Sequence, residues 1–264
     1  MRVLREFAKD AVGTAIFHAN PRCRYEDTVF ILAHMRCGST ALSNIFCSRD
    51  DFSGYGESHT DYSMRSRLGR LQFKHLARRA WKPGATSLFD KILHSPHDHD
   101  APPEFFRAKA VFLAREPRAT IRSIRSLFAG GTDRLYRTHE EAAVYYIERV
   151  TALTGLWQRF DAGRRVGLTH DQLVADPEAQ LARISDALGI RPRLANAYRN
   201  RAATHRHGDG DPINSVRFNR IERRVPAKRA APPLDIPDRV LADADAAYER
   251  YVATMRGDPE SRER

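Results

Sequence analysis

The fold is decided by residues 28–46, whose sequence is TVFILAHMRCGSTALSNIF. The first six residues form an unbroken apolar run rich in β-branched and aromatic side chains, which is typical of a strand buried on both faces of a parallel sheet. A short loop containing Gly38 follows, and the pattern of residues 41–46 predicts a helix. A strand, a tight loop and a helix N-terminus in this order form a common binding site for phosphate.

Further strands and helices alternate along the chain. Strands are predicted at residues 87–93, 110–114 and 166–169. Helices are predicted at residues 3–17, from Pro117 to about Phe128 with Gly130 and Gly131 after its end, at 139–160, from Asp176 to Gly189, and around Tyr248 to Val252. This alternation favours an α/β fold, with a mostly parallel central sheet flanked by helices. The amphipathic N-terminal helix is expected to pack on its own domain, although a membrane surface is the alternative.

Length and composition restrict the class of protein. The 264 residues suit a single domain, 1–264, with a core at about 26–190, a basic loop at 200–235 and a polar tail at 255–264. No apolar stretch approaches the roughly 18 to 20 residues of a membrane span, and charged residues interrupt any N-terminal secretory signal. The three cysteines show no metal-type pairing, which favours a reducing compartment. We therefore expect a cytoplasmic protein.

The net charge of +11 either reflects an anionic partner or has no functional meaning. Nucleic acid, an anionic membrane and an anionic small molecule are all compatible with the charge alone. The basic runs at 64–82 and 217–229 carry no aromatic ladder and no recognisable nucleic-acid module, so no nucleic-acid partner is expected.

The loop at residues 35–40 has the groups that an anion needs. Gly38 lets the backbone approach closely, Ser39 and Thr40 carry hydroxyl donors, and Arg36 supplies positive charge. A Walker A loop would need an earlier glycine and a lysine, both missing here, which disfavours a Mg²⁺-dependent nucleoside-triphosphate enzyme.

Residues 36–42, RCGSTAL, resemble the 5′-phosphosulfate loop of sulfotransferases, which is typically R/K-S-G-T/S-T-x-L. Cys37 stands where the family often has Ser, and Met35 where it often has Gly or Pro, so one possible side-chain donor is missing. The resemblance implies a P-loop-like sulfotransferase that uses 3′-phosphoadenylyl sulfate as co-substrate, releases adenosine 3′,5′-bisphosphate and needs no metal. The implied binding residues of this loop are Arg36, Cys37, Gly38, Ser39 and Thr40.

A second segment strengthens the resemblance. Residues 115–123, REPRATIRS, follow a predicted strand and are similar to the family segment whose first Arg and later Ser hold the 3′-phosphate. The resemblance therefore implies this role for Arg115 and Ser123, while Arg118 is expected to pair with Glu116 or a neighbouring acid. Residues 168–177 are similar to the family's later strand and helix segment, so the likeness covers roughly residues 28–190.

Sulfuryl transfer to a hydroxyl needs a general base and a cation for the leaving oxygen. In the sequence, Glu57 follows the phosphate loop by a number of residues similar to that which separates the loop from the catalytic Glu of several carbohydrate sulfotransferases. His59 and His94 are the alternative bases; His94 follows Lys91 with a spacing one residue longer than the family's Lys-x-His pair. Lys91 is the expected cation, with Arg36 as the alternative.

Other interpretations stay open at this point. Residues 94–100, HSPHDHD, have spacings that suit a zinc or di-metal hydrolase, although a polar loop beside the acceptor site is the commoner outcome. A non-enzymatic nucleotide- or nucleic-acid-binding protein is the second alternative. The basic segment 201–229 is either a flap that orders on the donor or an exposed linker.

The acceptor is not readable from the sequence. Specificity is expected to lie in residues 52–85 and 129–140. Aromatic residues in the first stretch suggest an apolar or sugar-stacking face, so a carbohydrate, a glycolipid or a small alcohol or phenol is expected; they are Phe52, Tyr55, Tyr62 and Phe73. The oligomeric state is undetermined.

Overall fold

The computed structural model describes residues 2–129, 135–199, 217–223 and 233–257. This part of the chain forms a five-stranded sheet flanked by helices. The strands are β1 (Thr28–Ala33), β2 (Phe52–Ser53), β3 (Ser87–Ile92), β4 (Lys109–Ala114) and β5 (Arg165–Thr169). The helices are α1 (Arg2–Ala19), α2 (Ser39–Ser48), α3 (Arg67–Ala77), α4 (Pro117–Phe128), α5 (His139–Trp157), α6 (His170–Ala175), α7 (Pro177–Ala187) and α8 (Asp238–Arg256).

The strand order β2-β3-β1-β4-β5 places β1 at the centre, and every pairing is parallel. Ile31 of β1 lies beside Lys91 of β3, and Ala33 lies beside Leu113 of β4. From β1 the chain first builds β2 and β3 on one side and then β4 and β5 on the other. This reversal of direction at β1 predicts a crevice at the carboxyl edge of the sheet, which is where open α/β folds bind ligands. The predicted α/β class with a parallel sheet is confirmed.

The long periodic segments were the predictable ones. Residues 28–33 form the predicted strand, and α4 runs from Pro117 to Phe128 as expected. Gly189 follows α7 in a left-handed conformation, with φ 61°, whereas the expected glycine stop after α4 lies outside the described residues. Three elements were not predicted: β2, α3 and α6. Two of these are too short to show a period, and α3 carries a glycine in its interior.

Helix α1 packs against α3 through its small and polar side, not through its apolar stripe. Gly13 and Gly69 let the two backbones meet, because a Cβ on Gly69 would overlap the carbonyl oxygen of Gly13. Ion pairs reinforce this face, joining Glu6 to Arg70 and Asp10 to Arg67. Phe7 and Val12 consequently stay exposed. Among the described helices, none is both long and apolar enough to cross a bilayer.

A buried arginine joins the central strands below the crevice. Arg149 of α5 is 1% exposed and donates hydrogen bonds of 3.0 Å to the carbonyl oxygens of Ala33 and of Ile92, the last residues of β1 and β3. Its guanidinium also binds both carboxylate oxygens of Asp98 at 2.8 Å. This pair ties together the ends of β1 and β3, from which the phosphate loop and the segment with His94 emerge.

Candidate active site

The loop at residues 34–38 joins β1 to α2 at the crevice. Gly38 is the residue that caps α2, and its φ of 93° is left-handed, which a glycine adopts without strain. Glycine offers no side chain to cap the helix, so the first backbone N–H groups of α2 suit an anion. A side chain at this position would also approach Cδ2 of His170 at 3.1 Å. His170, the first residue of α6, is a neighbour of the loop that the sequence did not indicate.

The side chain of Cys37 points into the core. Its thiol is fully buried and donates to the carbonyl oxygen of His34 at 2.9 Å. Burial raises the pKa of this thiol, so it stays protonated. Cys37 can therefore serve an anion through its backbone N–H only. The absence of the family's serine hydroxyl is compatible with this inward orientation.

Three residues predicted to bind phosphate meet beside the loop. The Nε of Arg36 donates to Oγ of Ser123 at 2.9 Å. Nη1 of Arg115 donates to the carbonyl oxygen of Arg36 at 3.3 Å. Two guanidinium groups, from residues that follow β1 and β4, and a hydroxyl of α4 thus come together, which is a suitable donor set for a phosphate. The side chain of Arg36 is directed to this cluster.

His34 links the phosphate loop to Arg115. Its Nδ1 donates to the carbonyl oxygen of Met35 at 2.8 Å, and its Nε2 accepts the backbone N–H of Arg115 at 2.9 Å. Both contacts require a neutral ring that is protonated on Nδ1. Burial lowers the pKa of His34 to about 3, which agrees with that state. Nothing in the sequence pattern distinguished His34 from the surface histidines.

The start of α4 is stabilised by Glu116. Its carboxylate accepts hydrogen bonds from the backbone N–H groups of Arg118 at 2.9 Å and Ala119 at 2.7 Å. Of the two partners expected for Arg118, Glu116 or a neighbouring acid, the structure has the second, because the side chain binds Asp245 of α8 at 3.0 Å. The Glu116 carboxylate instead serves the backbone at the start of α4.

On the other side of β1, Lys91 stands between the phosphate loop and Glu57. Glu57 lies in the segment that follows β2 and is 4% exposed; Lys91, near the end of β3, is 1% exposed. Nζ of Lys91 lies 3.5 Å from Oγ1 of Thr40 and 4.0 Å from Oε2 of Glu57. The backbone N–H of Lys91 donates to the carbonyl oxygen of Gly56 at 3.1 Å, which holds the two segments side by side.

Both histidines named as alternative bases also face Glu57. Nε2 of His94 lies 3.9 Å and Nδ1 of His59 lies 3.5 Å from Oε1 of Glu57. Burial, followed by the charges of neighbouring groups, lowers the pKa of His94 to about 4. His94 is therefore a neutral imidazole near pH 7. The four residues predicted for the chemistry, Glu57, His59, Lys91 and His94, come together although they belong to two separate segments.

The metal interpretation of residues 94–100 finds no geometric support in the described part of the chain, where no group of three or more His, Cys, Asp or Glu side chains could hold a metal ion. Asp98 is engaged by Arg149, and His99 contacts only its exposed neighbour Asp100, at 2.7 Å, among the contacts seen. Most of the basic segment 201–229 lies outside the described residues. In its described part, Arg223 binds Asp176 at 2.8 Å on the surface.

The predicted aromatic acceptor face is wrong for three of its four residues. Phe52, Tyr55 and Tyr62 are buried in the core and cannot contact an acceptor. A different row of rings begins at His94: its ring centroid lies 5.4 Å from that of Tyr145, which lies 5.3 Å from that of Tyr136. These rings are partly exposed and border Glu57 through His94.

Comparisons with known proteins bear on the fold and on part of the sequence. The family model described as "Sulfotransferase family" matches residues 88–193, which include Lys91, His94, Arg115 and Ser123 but neither the 36–40 loop nor Glu57. No curated protein matches the chain in a sequence search.

Two solved structures share the fold. The sulfotransferase domain from the Synechococcus PCC 7002 olefin synthase aligns with a TM-score of 0.61 at 20% identity, covering 87% of this chain and 96% of that domain. The sulfotransferase domain from the curacin biosynthetic pathway aligns with a TM-score of 0.54 at 16% identity, covering 87% of this chain and 98% of that domain. Residues 88–193 thus resemble the sulfotransferase family, and the chain shares its fold with these two sulfotransferase domains.

Proposed function

We propose that the protein transfers a sulfuryl group from 3′-phosphoadenylyl sulfate to an acceptor hydroxyl or amine. The observation that carries the proposal is the position of Lys91, whose Nζ lies 3.5 Å from Thr40 in the phosphate loop and 4.0 Å from Glu57. A cation between an anion-binding loop and a buried acid is what transfer of a charged group to a hydroxyl requires.

The donor is proposed to bind across the crevice. Its 5′-phosphosulfate group lies against the backbone of residues 37–40 at the start of α2, where N–H groups and the helix dipole favour negative charge. Its 3′-phosphate lies on Arg36, Arg115 and Ser123. The support for this assignment is the contact of Arg36 with Ser123 at 2.9 Å, which gathers these groups at one end of the loop.

The transfer itself is an in-line displacement at sulfur. The acceptor oxygen forms a bond to sulfur while the bond between sulfur and the bridging phosphate oxygen breaks, and that oxygen keeps the electron pair. Lys91 stabilises the negative charge that develops there. The acceptor loses its proton to Glu57 in the same step, so the products are a sulfated acceptor, adenosine 3′,5′-bisphosphate and a protonated Glu57. By analogy with phosphoryl transfer, most of the catalysis comes from positioning and charge stabilisation.

Glu57 is proposed as the base because it is the group that Lys91, His59 and His94 all approach. His94 is neutral near pH 7, and its low pKa makes it a weak proton acceptor. We assign His94 to orienting Glu57 or the acceptor.

The acceptor is proposed to approach along the row of rings formed by His94, Tyr145 and Tyr136. Partly exposed rings stack on sugar faces and on aromatic molecules alike, so a carbohydrate, a glycolipid and a small alcohol or phenol all suit this surface. We place the reaction in the cytoplasm, because three buried cysteines that form no disulfide with one another suit a reducing compartment.

The decisive experiment has two stages. Transfer of labelled sulfate from the donor to a pooled acceptor library, followed by mass spectrometry, identifies an acceptor. With that acceptor, Glu57→Gln should lower kcat by at least about 100-fold and leave the affinity for adenosine 3′,5′-bisphosphate within about twofold, because Glu57 contacts the acceptor and not the nucleotide.

The exposed Glu249→Gln on α8 serves as the matched control and should behave as wild type. Wild-type turnover of Glu57→Gln would remove Glu57 from the mechanism. Failure of the wild-type protein to bind adenosine 3′,5′-bisphosphate in calorimetry would overturn the proposed donor.

A further inference from the structure

A second buried acid lies next to Lys91 and takes no part in the proposed transfer. Asp90 of β3 is 1% exposed, and its carboxylate accepts four hydrogen bonds. Oδ1 accepts the backbone N–H groups of Ser58 at 2.8 Å and Lys91 at 2.9 Å. Oδ2 accepts the hydroxyls of Ser58 at 2.5 Å and Tyr62 at 2.6 Å. Removing a buried acid with this many hydrogen-bond partners destabilises the structure around it, and its presence fixes a single local geometry.

The hydrogen bonds of Asp90 act on the segment that carries Glu57. Residues 54–60 have no helix or strand, so their conformation depends on contacts with the rest of the protein. The residue before Glu57 is tied by the bond from the Lys91 N–H to the Gly56 carbonyl oxygen, at 3.1 Å. The residue after it, Ser58, is tied to Asp90 through both its backbone and its side chain. Glu57 is thus bracketed by contacts with two successive residues of β3.

We propose that Asp90 is a positioning residue, which sets the distance between Glu57 and Lys91 by anchoring Ser58 and Tyr62 to β3. The inference rests on the proposed role of Glu57 as the general base. Asp90 itself touches neither substrate nor donor in this scheme. Its effect passes through the backbone of residue 58, one residue from the base.

Lys74 adds an outer contact to the same segment. Its Nζ donates to the carbonyl oxygens of Ser58 at 2.9 Å and His59 at 3.0 Å. Burial lowers the pKa of Lys74 to about 8. Asp90, in β3, accepts hydrogen bonds from the N–H and hydroxyl groups of the segment. Lys74, in α3, donates to its carbonyl groups.

The chemistry of the site predicts how substitutions will rank. Asparagine at position 90 keeps an oxygen for the two backbone donors, and its NH₂ group can donate to the hydroxyls of Ser58 and Tyr62, which then act as acceptors. Alanine removes the acceptor of the Ser58 N–H and of the Tyr62 hydroxyl. The Lys91 N–H keeps the Gly56 carbonyl oxygen, and the Ser58 hydroxyl keeps Oγ1 of Thr60. Asp90→Asn should therefore retain kcat within about fivefold, whereas Asp90→Ala should lower it by about 100-fold, as expected for a displacement of about 1 Å at a reacting group.

The test measures kcat and the affinity for adenosine 3′,5′-bisphosphate in Asp90→Ala, Asp90→Asn and Tyr62→Phe. Asp61→Ala is the control, because Asp61 belongs to the same segment but is exposed and contacts only Ser63 among the bonds seen. We expect the losses to fall on kcat, with nucleotide affinity within about threefold of wild type and Asp61→Ala unchanged. Tyr62→Phe, which removes one hydroxyl, covers the case in which Asp90→Ala fails to fold.

A double-mutant cycle separates positioning from general structural damage. In the Glu57→Gln background, Asp90→Ala or Tyr62→Phe should cause no further loss of kcat, because the group they position is already inactive. Losses that multiply would overturn the inference and leave the role of Glu57 intact. Wild-type turnover of Glu57→Gln alone would show that Glu57 is not the general base, and the inference about Asp90 would then be overturned as well. Equal turnover of wild type and Asp90→Ala would overturn the inference alone.

Discussion

The two halves of the crevice are built in different ways. The phosphate half consists of the loop at residues 34–40 with Arg115 and Ser123, and most of it is one contiguous stretch of strand, loop and helix. The transfer half consists of Glu57, Lys91 and His94, which come from an irregular segment and from the end of β3. Backbone groups dominate the first half, whereas the second depends on side chains.

This difference separates affinity from turnover. A backbone cradle at a helix N-terminus keeps its geometry as long as the helix and the glycine turn form. A base and a cation must instead be held to within about 0.5 Å by packing and supporting hydrogen bonds. The bonds of Asp90 and the ties from Arg149 supply that support. We therefore expect mutations in the phosphate half to weaken donor binding and mutations in the transfer half to slow the reaction.

The largest effect is expected for Lys91→Ala. Loss of the cation beside the leaving oxygen should lower kcat by about 100- to 1,000-fold, as removal of an oxyanion donor does in other enzymes. The affinity for adenosine 3′,5′-bisphosphate should change by no more than a few fold, because this product carries no sulfuryl group. Steady-state kinetics and calorimetry measure the two quantities. Lys109→Ala, at the opposite end of the sheet, is the control. A loss of affinity as large as the loss of kcat would erase the distinction between the halves.

A smaller effect of the opposite kind is expected for Arg115→Ala. Removal of one charged hydrogen-bond donor to phosphate costs about 1.5–3 kcal/mol, or roughly a 10- to 100-fold weaker affinity for adenosine 3′,5′-bisphosphate. At saturating donor, kcat should stay within a few fold of wild type. Adenosine 5′-monophosphate supplies the internal control, since it lacks the 3′-phosphate and should bind both proteins alike. Equal weakening of both nucleotides in calorimetry would contradict the assignment of Arg115 to the 3′-phosphate.

The smallest effect is expected for the pH dependence of stability that arises from His34. This ring has a pKa of about 3 in the fold, whereas a histidine in an unfolded chain titrates near 6.5. Between these values the unfolded state binds more protons, so the free energy of unfolding should fall as the pH falls through this range. Each such histidine contributes a slope of up to about 1.4 kcal/mol per pH unit, and the buried His75 adds a second contribution.

His34→Gln should reduce that slope by the equivalent of about one proton in urea denaturation between pH 7 and pH 4. His99→Gln, at an exposed position, serves as the comparison for a histidine substitution. An unaltered slope in His34→Gln would mean that the phosphate loop does not depend on a neutral imidazole.

Most of the fold and much of the site were predictable from the residue pattern. The apolar run at 28–33 predicts a buried parallel strand on local grounds, and Gly38 and Pro117 mark their turns and helix starts because their backbone preferences are intrinsic. The strand ends then indicate which residues share the crevice, since parallel strands bring their carboxyl ends to one edge. For that reason Arg115, Lys91 and the loop at 36–40 could be expected to meet.

Other features were decided by the tertiary structure alone. Whether an aromatic side chain lines a site or fills the core depends on its partners, so the burial of Tyr55 and Tyr62 could not be read locally. The same is true of Arg149 and Asp98, whose charges are stable in the interior only because each neutralises the other and the strand ends supply the remaining hydrogen-bond acceptors. Local sequence thus determined the phosphate cradle, while long-range contacts placed Glu57 beside it, because an irregular segment has no geometry of its own.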